Sequence, residues 1–274
     1  MLLVTGATGN TGSELVRELA ARGVPVRALA RRPDADLPPG TERATGDLDR
    51  PDTLGHALRD VRGMFLLPGY ADMPGLLERA REAGVRHVVL LSGGSAALED
   101  LTNAVSRYMT LSERAVRDSG MSWTLLRPRA FMSNALRWLP QLRAGDEVRV
   151  PFPDVPAACV DPRDIAAVAA EALTGEGHEG CVYELTGPQS LLPADQVAVL
   201  GTVLGRPLRC VGLSDEEARA EMEAGMPAEY VEAFFRFYRG GDLDESQVLD
   251  DLVKVTGRPA RTFAQWATDN RHRF

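Results

Sequence analysis

The residues best placed to do chemistry stand at the start of the chain. Leu2-Leu3-Val4-Thr5 has the apolar, β-branched character of a buried strand and runs directly into Gly6-Ala7-Thr8-Gly9-Asn10-Thr11-Gly12. Three glycines in this order between a strand and a helix form a turn suited to phosphate. Gly6 lets the chain leave the strand tightly, Gly9 lets backbone N–H groups approach a pyrophosphate, and Gly12 lets the helix pack close to the strand. Thr8, Asn10 and Thr11 complete the turn, and the helix directs its free N–H groups and positive end at the phosphates. Because the pattern follows the first strand of an alternating chain, it implies a dinucleotide site rather than a purely structural turn.

The second strand chooses between cofactors. An acid at its end holds the ribose hydroxyls of NAD, whereas arginine accommodates the additional phosphate of NADP. Here Ala28-Leu29-Ala30-Arg31-Arg32-Pro33 contains no acid before Asp34. The expectation is NADP(H) in preference to NAD(H), with the planar guanidinium of Arg31 making paired hydrogen bonds to the phosphate. The alternative is that both arginines solvate a loop.

The elements that must position these groups alternate along the chain. Strands are expected at residues 2–5, 24–29, 42–45, 61–67, 87–91 and 123–126, and helices at 14–21, 53–58, 73–83 and 104–118. This is the pattern of an α/β, doubly wound parallel sheet with helices on both faces. After Pro128 the regularity loosens, and Pro140, Pro151, Pro153 and Pro156 exclude a long helix or a central strand. Residues 1–128 therefore read as the cofactor-binding region. Residues 129–274 read as a smaller α/β C-terminal lobe whose strands have the option of returning to the main sheet. Within that lobe we expect helices at 164–173, 194–204, 215–224, 227–239 and 262–270, strands at 182–185 and 208–211, and a mobile loop at 240–245.

Composition narrows the function classes. The 274 residues are 44% hydrophobic, enough for a large core without staples, and the net charge of −8 argues against non-specific attraction to nucleic acid or anionic membranes. Cys159, Cys181 and Cys210 lack zinc spacing, and the four histidines form no HExxH pair. Neither a bilayer-spanning run nor a signal-peptide pattern occurs, so a cytoplasmic location is expected. An enzyme, a ligand sensor and a partner-binding module all remain open, and a homodimer is compatible with each.

Motifs farther along carry a resemblance. Val4 to Gly12, Gly46-Asp47-Leu48, Leu90-Leu91-Ser92, Trp123-Thr124-Leu125-Leu126-Arg127-Pro128 and Val160-Asp161-Pro162-Arg163-Asp164-Ile165-Ala166 together resemble the NmrA-like atypical short-chain dehydrogenase/reductases. Gly177-His178-Glu179-Gly180, followed by Val182-Tyr183-Glu184-Leu185-Thr186-Gly187, is similar to the bacterial type 2 NAD(P)H:quinone oxidoreductases. The resemblance implies a Rossmann-type fold and places the Asp47 carboxylate near the adenine amino group, with Leu48 covering the ring. It also implies where the superfamily's catalytic tyrosine, and the lysine four residues later, would stand. Counting back from Glu113 puts Val105 and Met109 there, while Tyr108 is displaced and has no lysine partner.

Without that pair, ordinary ketone reduction lacks its proton donor. A quinone or conjugated carbonyl compound takes hydride to give a delocalised anion that water protonates, so holding the acceptor over the nicotinamide suffices. The leading expectation is an NADPH-dependent oxidoreductase acting on such a small-molecule acceptor. Alternatives are a non-catalytic NADP(H) sensor with a protein partner and a biosynthetic tailoring reductase or isomerase. Ligands in such sheets bind beyond the carboxyl ends of the strands, which points to Leu67, Pro68, Ser92 and Pro128. Ser92 orients a carbonyl or the nicotinamide ribose, or else caps Gly93-Gly94. Tyr108 is a weak donor or stacking wall, or else packs its helix. Phe131, Met132, Asn134 and Trp138, with Phe152, are candidate acceptor contacts, although aromatic stripes also build cores.

Overall fold

The computed structural model describes residues 1–32 and 37–274. Asp34, the acid noted beyond the second strand, lies outside the described residues. Nine strands occur among the described residues: β1 (Leu2–Val4), β2 (Val26–Ala30), β3 (Glu42–Thr45), β4 (Gly63–Leu66), β5 (His87–Leu91), β6 (Ser122–Pro128), β7 (Glu147–Val150), β8 (Cys181–Leu185) and β9 (Arg209–Gly212). Seven form one sheet in the order β3-β2-β1-β4-β5-β6-β8, and every neighbouring pair is parallel. The order reverses between β1 and β4, which makes a crevice at their carboxyl ends.

The helices are α1 (Asn10–Ala21), α2 (Met73–Glu82), α3 (Ala104–Asp118), α4 (Leu139–Ala144), α5 (Pro162–Thr174), α6 (Pro193–Leu204), α7 (Asp215–Glu223), α8 (Ala228–Tyr238), α9 (Asp251–Thr256) and α10 (Phe263–Asp269). Leu15, Val16 and Leu19 of α1 pack with Ile165, Val168 and Ala169 of α5 and Leu252 of α9 on one face of the sheet. The alanines of α5 admit this close approach. Leu76, Leu77 and Ala80 of α2 and Val116 of α3 cover the other face. With both faces covered, β1, β2 and β4 are buried throughout. Arg27 is the exception in polarity within β2. Its guanidinium donates to the carbonyls of Ala57 and Arg59 and pairs with Glu42, which satisfies the buried charge.

After Pro128 the chain divides its work. Helix α5 and strand β8 return to the main sheet, β8 pairing with β6. The remaining elements build a second core, in which Leu142, Val148, Val150, Val197, Leu200, Phe263 and Trp266 meet. Strands β7 and β9 form a separate parallel pair. Elements α4, β7 and α9 were not expected from sequence. The helix expected at 53–58 is a single 3₁₀ turn, Pro51–Leu54. The segment expected as a mobile loop at 240–245 is tied down: Ala158 N–H donates to the Glu245 carbonyl (2.7 Å) and the Tyr238 hydroxyl donates to Glu245 Oε2 (2.7 Å). Among the described residues, no helix is long and apolar enough to cross a membrane, and no group of three His, Cys, Asp or Glu residues could hold a metal ion.

Two close arrangements fix the sheet's working end. Gly6 has φ +60°, and a Cβ on Gly12 would lie 2.2 Å from the Gly6 carbonyl oxygen, so α1 meets the exit of β1 at backbone contact. Farther along, Glu113 of α3 is 1% exposed. It accepts from Ser92 Oγ (2.6 Å), Arg127 Nε (2.8 Å) and Arg127 Nη2 (2.7 Å), with Arg117 at 3.0 Å. Burial alone would raise the Glu113 carboxyl, but the hydrogen bonds from Arg127 and Ser92 outweigh it and hold the group below its ordinary value.

Gly12→Ala should therefore destabilise the fold by about 1–3 kcal/mol, because the helix must move off the strand; an unchanged urea midpoint would contradict the backbone contact. Glu113→Gln should cost about 3–5 kcal/mol near neutral pH by stranding buried guanidinium charge. A depressed carboxyl contributes stability above its ordinary pKa and loses it as pH falls through the folded value. Thermal midpoints of variant and parent should thus stay apart down to the ordinary carboxyl range and converge only as the pH falls below it, and a gap independent of pH would disprove the charge network.

Candidate functional site

The glycine turn offers donors in a specific place. Gly9 N–H is already given to the Gly6 carbonyl (2.8 Å), and Ser13 N–H to the Gly9 carbonyl (3.0 Å). Helix α1 has no side-chain cap, which leaves the first-turn N–H groups of Asn10, Thr11 and Gly12 to face an anion. Gly9 thus shapes the turn and does not itself supply a donor. Thr8, Gly9 and Asn10 are exposed, whereas Thr11 is buried. Leu67, just beyond β4, presses its side chain against Gly6, where a Cβ would lie 2.6 Å from Leu67 Cδ1.

A cleft of about 690 Å³ opens over this turn, bordered by Thr8, Gly9, Asn10, Arg32, Ser133 and Arg273 among others. Its size suits a cofactor. Gly6 and Gly12 at backbone contact, the uncapped helix N-terminus and the arginines at the rim fit a dinucleotide phosphate. Arg31 and Arg32 are both exposed, and it is Arg32 that borders the cleft. Arg31 lies on the Tyr70 side. Burial and Asp49 push the Tyr70 phenol up to about 12, and Arg31 is near enough to oppose them. Asp47 is occupied locally, accepting from Asp49 N–H (3.1 Å) and Arg50 Nε (3.3 Å). Leu48 is 7% exposed and belongs to the core beneath the sheet, so it offers little surface to an adenine ring.

The ends of β5 and β6 form a floor. Ser92 is 1% exposed, and its proton is committed to Glu113, so it can accept a hydrogen bond but not donate one to a substrate. Tyr108 packs against Gly69, with Cδ2 3.2 Å from where a Gly69 Cβ would be, and burial raises its phenol. The same loop is held by Gly69 N–H donating to Ser112 Oγ (2.9 Å). Neighbouring Met109 turns the other way and lays its methyl 3.2 Å from a Gly93 Cβ position. An apolar thioether thus covers the Ser92-Gly93 turn where the resemblance would put a lysine. Pro128 is buried at the end of β6. Beyond it, the Arg129 stem crosses Gly94, its Nη2 donates to Glu184 Oε2 (2.7 Å), and its Nε is buried without an acceptor among the described residues.

The candidate acceptor contacts do not share one face. Phe131 packs on the main core beside Val160, Met132 and Trp138 join the second core, and Asn134 is exposed. Phe152 is 5% exposed, with its ring 5.0 Å from Phe235 and 5.1 Å from Tyr238; it is a packing residue rather than a pocket wall. Cys159 is buried, and burial pushes its thiol up to about 12, which removes it as a nucleophile. Sequence reasoning gave the leading role to Arg31 rather than its neighbour Arg32 and did not single out Arg129, Ser133 or Arg273. Arg32 was within reach of it, since adjacent residues at a strand end point to opposite sides; the position of Arg273 has no local signal.

Comparison with known proteins agrees with this geometry. Residues 6–176 match the NAD(P)H-binding family. Over 280 residues, covering 100% of this chain and 99% of the relative, the sequence is 43% identical to a (4-alkanoyl-5-oxo-2,5-dihydrofuran-3-yl)methyl phosphate reductase of Streptomyces griseus. It is 40% identical to an NAD(P)H azoreductase of Xenophilus azovorans, covering 97% of this chain and 96% of that one. The crystal structure of an NADPH-dependent quinone oxidoreductase of Escherichia coli superposes with a TM-score of 0.80 at 25% identity, covering 98% of this chain and 99% of the other. With the glycine turn inside the matched region and full-length relatives that are reductases, the chain is an oxidoreductase and belongs to the NAD(P)H-binding family.

Proposed function

We propose that the protein is an NADPH-dependent reductase that delivers hydride to an electron-poor double bond whose product anion is delocalised: a quinone, or an alkene conjugated to carbonyl groups. The observation that carries this reading is the state of the floor. Ser92 has given its proton to Glu113, and Met109 covers the Ser92-Gly93 turn where the resemblance would place a lysine. A localised alkoxide would find no proton donor there. A delocalised anion needs only orientation, nearby positive charge and solvent.

When bound, NADPH supplies the hydride and is left as NADP⁺. That hydride would bond to one end of the acceptor's double bond, the displaced electron pair would move onto a conjugated electronegative atom, and water would give the proton that completes reduction. Arg129, ion-paired with Glu184 and with its buried Nε–H lacking an acceptor among the described residues, holds an unused hydrogen-bond donor just beyond β6 that would suit such an anion. The names of the relatives agree. A 4-alkanoyl-5-oxo-2,5-dihydrofuran carries both carbonyls on one carbon of its ring alkene, so charge left there spreads onto two oxygens, and azo compounds and quinones likewise spread the added charge over electronegative atoms. In this reading residues 1–128, with α5 and β8, hold the cofactor, and the remainder of 129–274 holds the acceptor.

Preference for NADPH over NADH rests on the two arginines after β2, with Arg32 at the cleft in the stronger position. Arg32→Ala should weaken NADPH binding by about 10- to 100-fold, the loss expected for a charge-assisted hydrogen bond, while NADH binding changes by less than about threefold. Arg31→Ala should have the smaller effect. Calorimetric titration with both cofactors checks this, and an unaltered NADPH-to-NADH ratio in both variants would refute the assignment. Turnover followed by reduced-nicotinamide absorbance should occur with quinones and doubly activated alkenes and not with simple ketones; the reverse order would sink the proposed chemistry.

A further inference from the structure

We infer that Arg273, contributed by the second lobe from outside the matched region, binds the pyrophosphate of the cofactor and closes the cleft over the first turn of α1. This rests on the dinucleotide reading of the cleft and adds a residue that the glycine-turn motif does not contain. Arg273 ends a 3₁₀ turn, Arg271–Arg273, after α10. Its Nη1 and Nη2 stand 3.3 and 3.4 Å from Asn10 Oδ1, and Nη1 is 3.2 Å from Asn270 Oδ1. The backbone beneath it is fixed. Arg273 N–H donates to the Asn270 carbonyl (2.9 Å), Asn270 Nδ2 to the Trp266 carbonyl (2.9 Å), and the Phe274 ring meets Trp266 edge-on at 6.1 Å.

Charge makes this placement informative. The carboxylates bordering the cleft are engaged elsewhere: Glu14 with Arg17 and Arg163, Asp161 with Arg261, and Asp269 with Arg163 and Arg261. Arg273 has no carboxylate partner among the described residues, only neutral amide oxygens at long range. A guanidinium held at the uncapped N-terminus of a helix sits at the helix's positive end, where a cation is disfavoured. Arg32 faces the same cleft. Two arginines and three free N–H groups facing a cleft whose bordering carboxylates are already ion-paired describe an anion site, and a pyrophosphate bridging Arg273 and the α1 N-terminus neutralises it. Asn10 then acts as the holder that keeps Arg273 aimed at that position. The cofactor, by touching both lobes, would fasten them together.

The test is binding of NADPH and NADH to the full chain, by calorimetry, for the parent, Arg273→Ala and Arg273→Lys. Arg273→Ala should weaken both cofactors alike by about 10- to 100-fold, because both carry the pyrophosphate, and Arg273→Lys should recover part of the loss. Hydrogen exchange of residues 263–274 should slow on NADPH binding in the parent and much less in Arg273→Ala. Loss confined to NADPH would move Arg273 to the 2′-phosphate and overturn the pyrophosphate assignment. Parent-like affinity with a lowered melting temperature would show that the arginine only fastens the chain end, which also overturns it. A parent that binds neither cofactor would remove the dinucleotide reading itself, a result distinct from parent binding that Arg273→Ala leaves intact.

Discussion

The carboxylate of Glu113 cannot be both buried and charged unless the protein surrounds it with donors, and much of the working end of the sheet is arranged to do so. Arg127 reaches it from β6, Ser92 from the end of β5 and Arg117 from its own helix. Breaking any of these leaves a desolvated charge, so the three elements that form the floor are locked to one another. The same network settles the chemistry of Ser92. A hydroxyl has one proton, and this one is spent on the carboxylate. In the proposed reading such a floor would accept and orient but not protonate.

A floor of that kind needs its ligands brought to it by something else, and the glycine turn is the counterpart. Backbone contact between Gly6 and Gly12 sets α1 at the exit of β1, which aims the N–H groups of Asn10, Thr11 and Gly12 into the cleft. The second lobe borders the same cleft through Ser133 and the turn after α10. The two cores are separate, but α5 and β8 belong to the main sheet although the chain reaches them only after passing through the second lobe. The chain crosses between the lobes repeatedly, so their relative placement is built from several connections rather than one hinge.

The parts legible in the sequence were those whose signal is local. Strands buried on both faces read as continuous apolar runs, as β5 does, and β3, although largely exposed, also falls at the residues expected, as does α3 with its Asn103 cap and amphipathic repeat. The glycine turn was legible because its backbone demands particular residues. Strand β7 was not, since four residues, Glu147–Val150, gain strand character only by pairing with β9 some sixty residues away. Helices α4 and α9, at six residues each, are too short to display a period. Phe152 looked like a pocket wall because an aromatic between prolines has no visible partner in sequence; the structure supplies Phe235 and Tyr238 from α8. The choice between Arg31 and Arg32 turned on side-chain direction, which composition does not record.

An active site that lacks a dedicated proton donor shifts the burden of selectivity from chemistry to shape. A donor fixes where charge must develop and so admits only substrates that build charge at that point. Where solvent completes the reaction, any acceptor qualifies that lies flat over the transferable hydride and delocalises what it receives. Full-length relatives of this chain at 43% and 40% identity bear the names of a furanone phosphate reductase and an azoreductase. In the reading proposed above, the acceptor meets the surface presented by the second lobe, where Phe131, Met132 and Trp138 are divided between the two cores and Asn134 is left to solvent. If the proposed chemistry holds, discrimination among acceptors becomes a property of how the two lobes meet, and a cofactor held by residues from both lobes would set that meeting before the acceptor arrives.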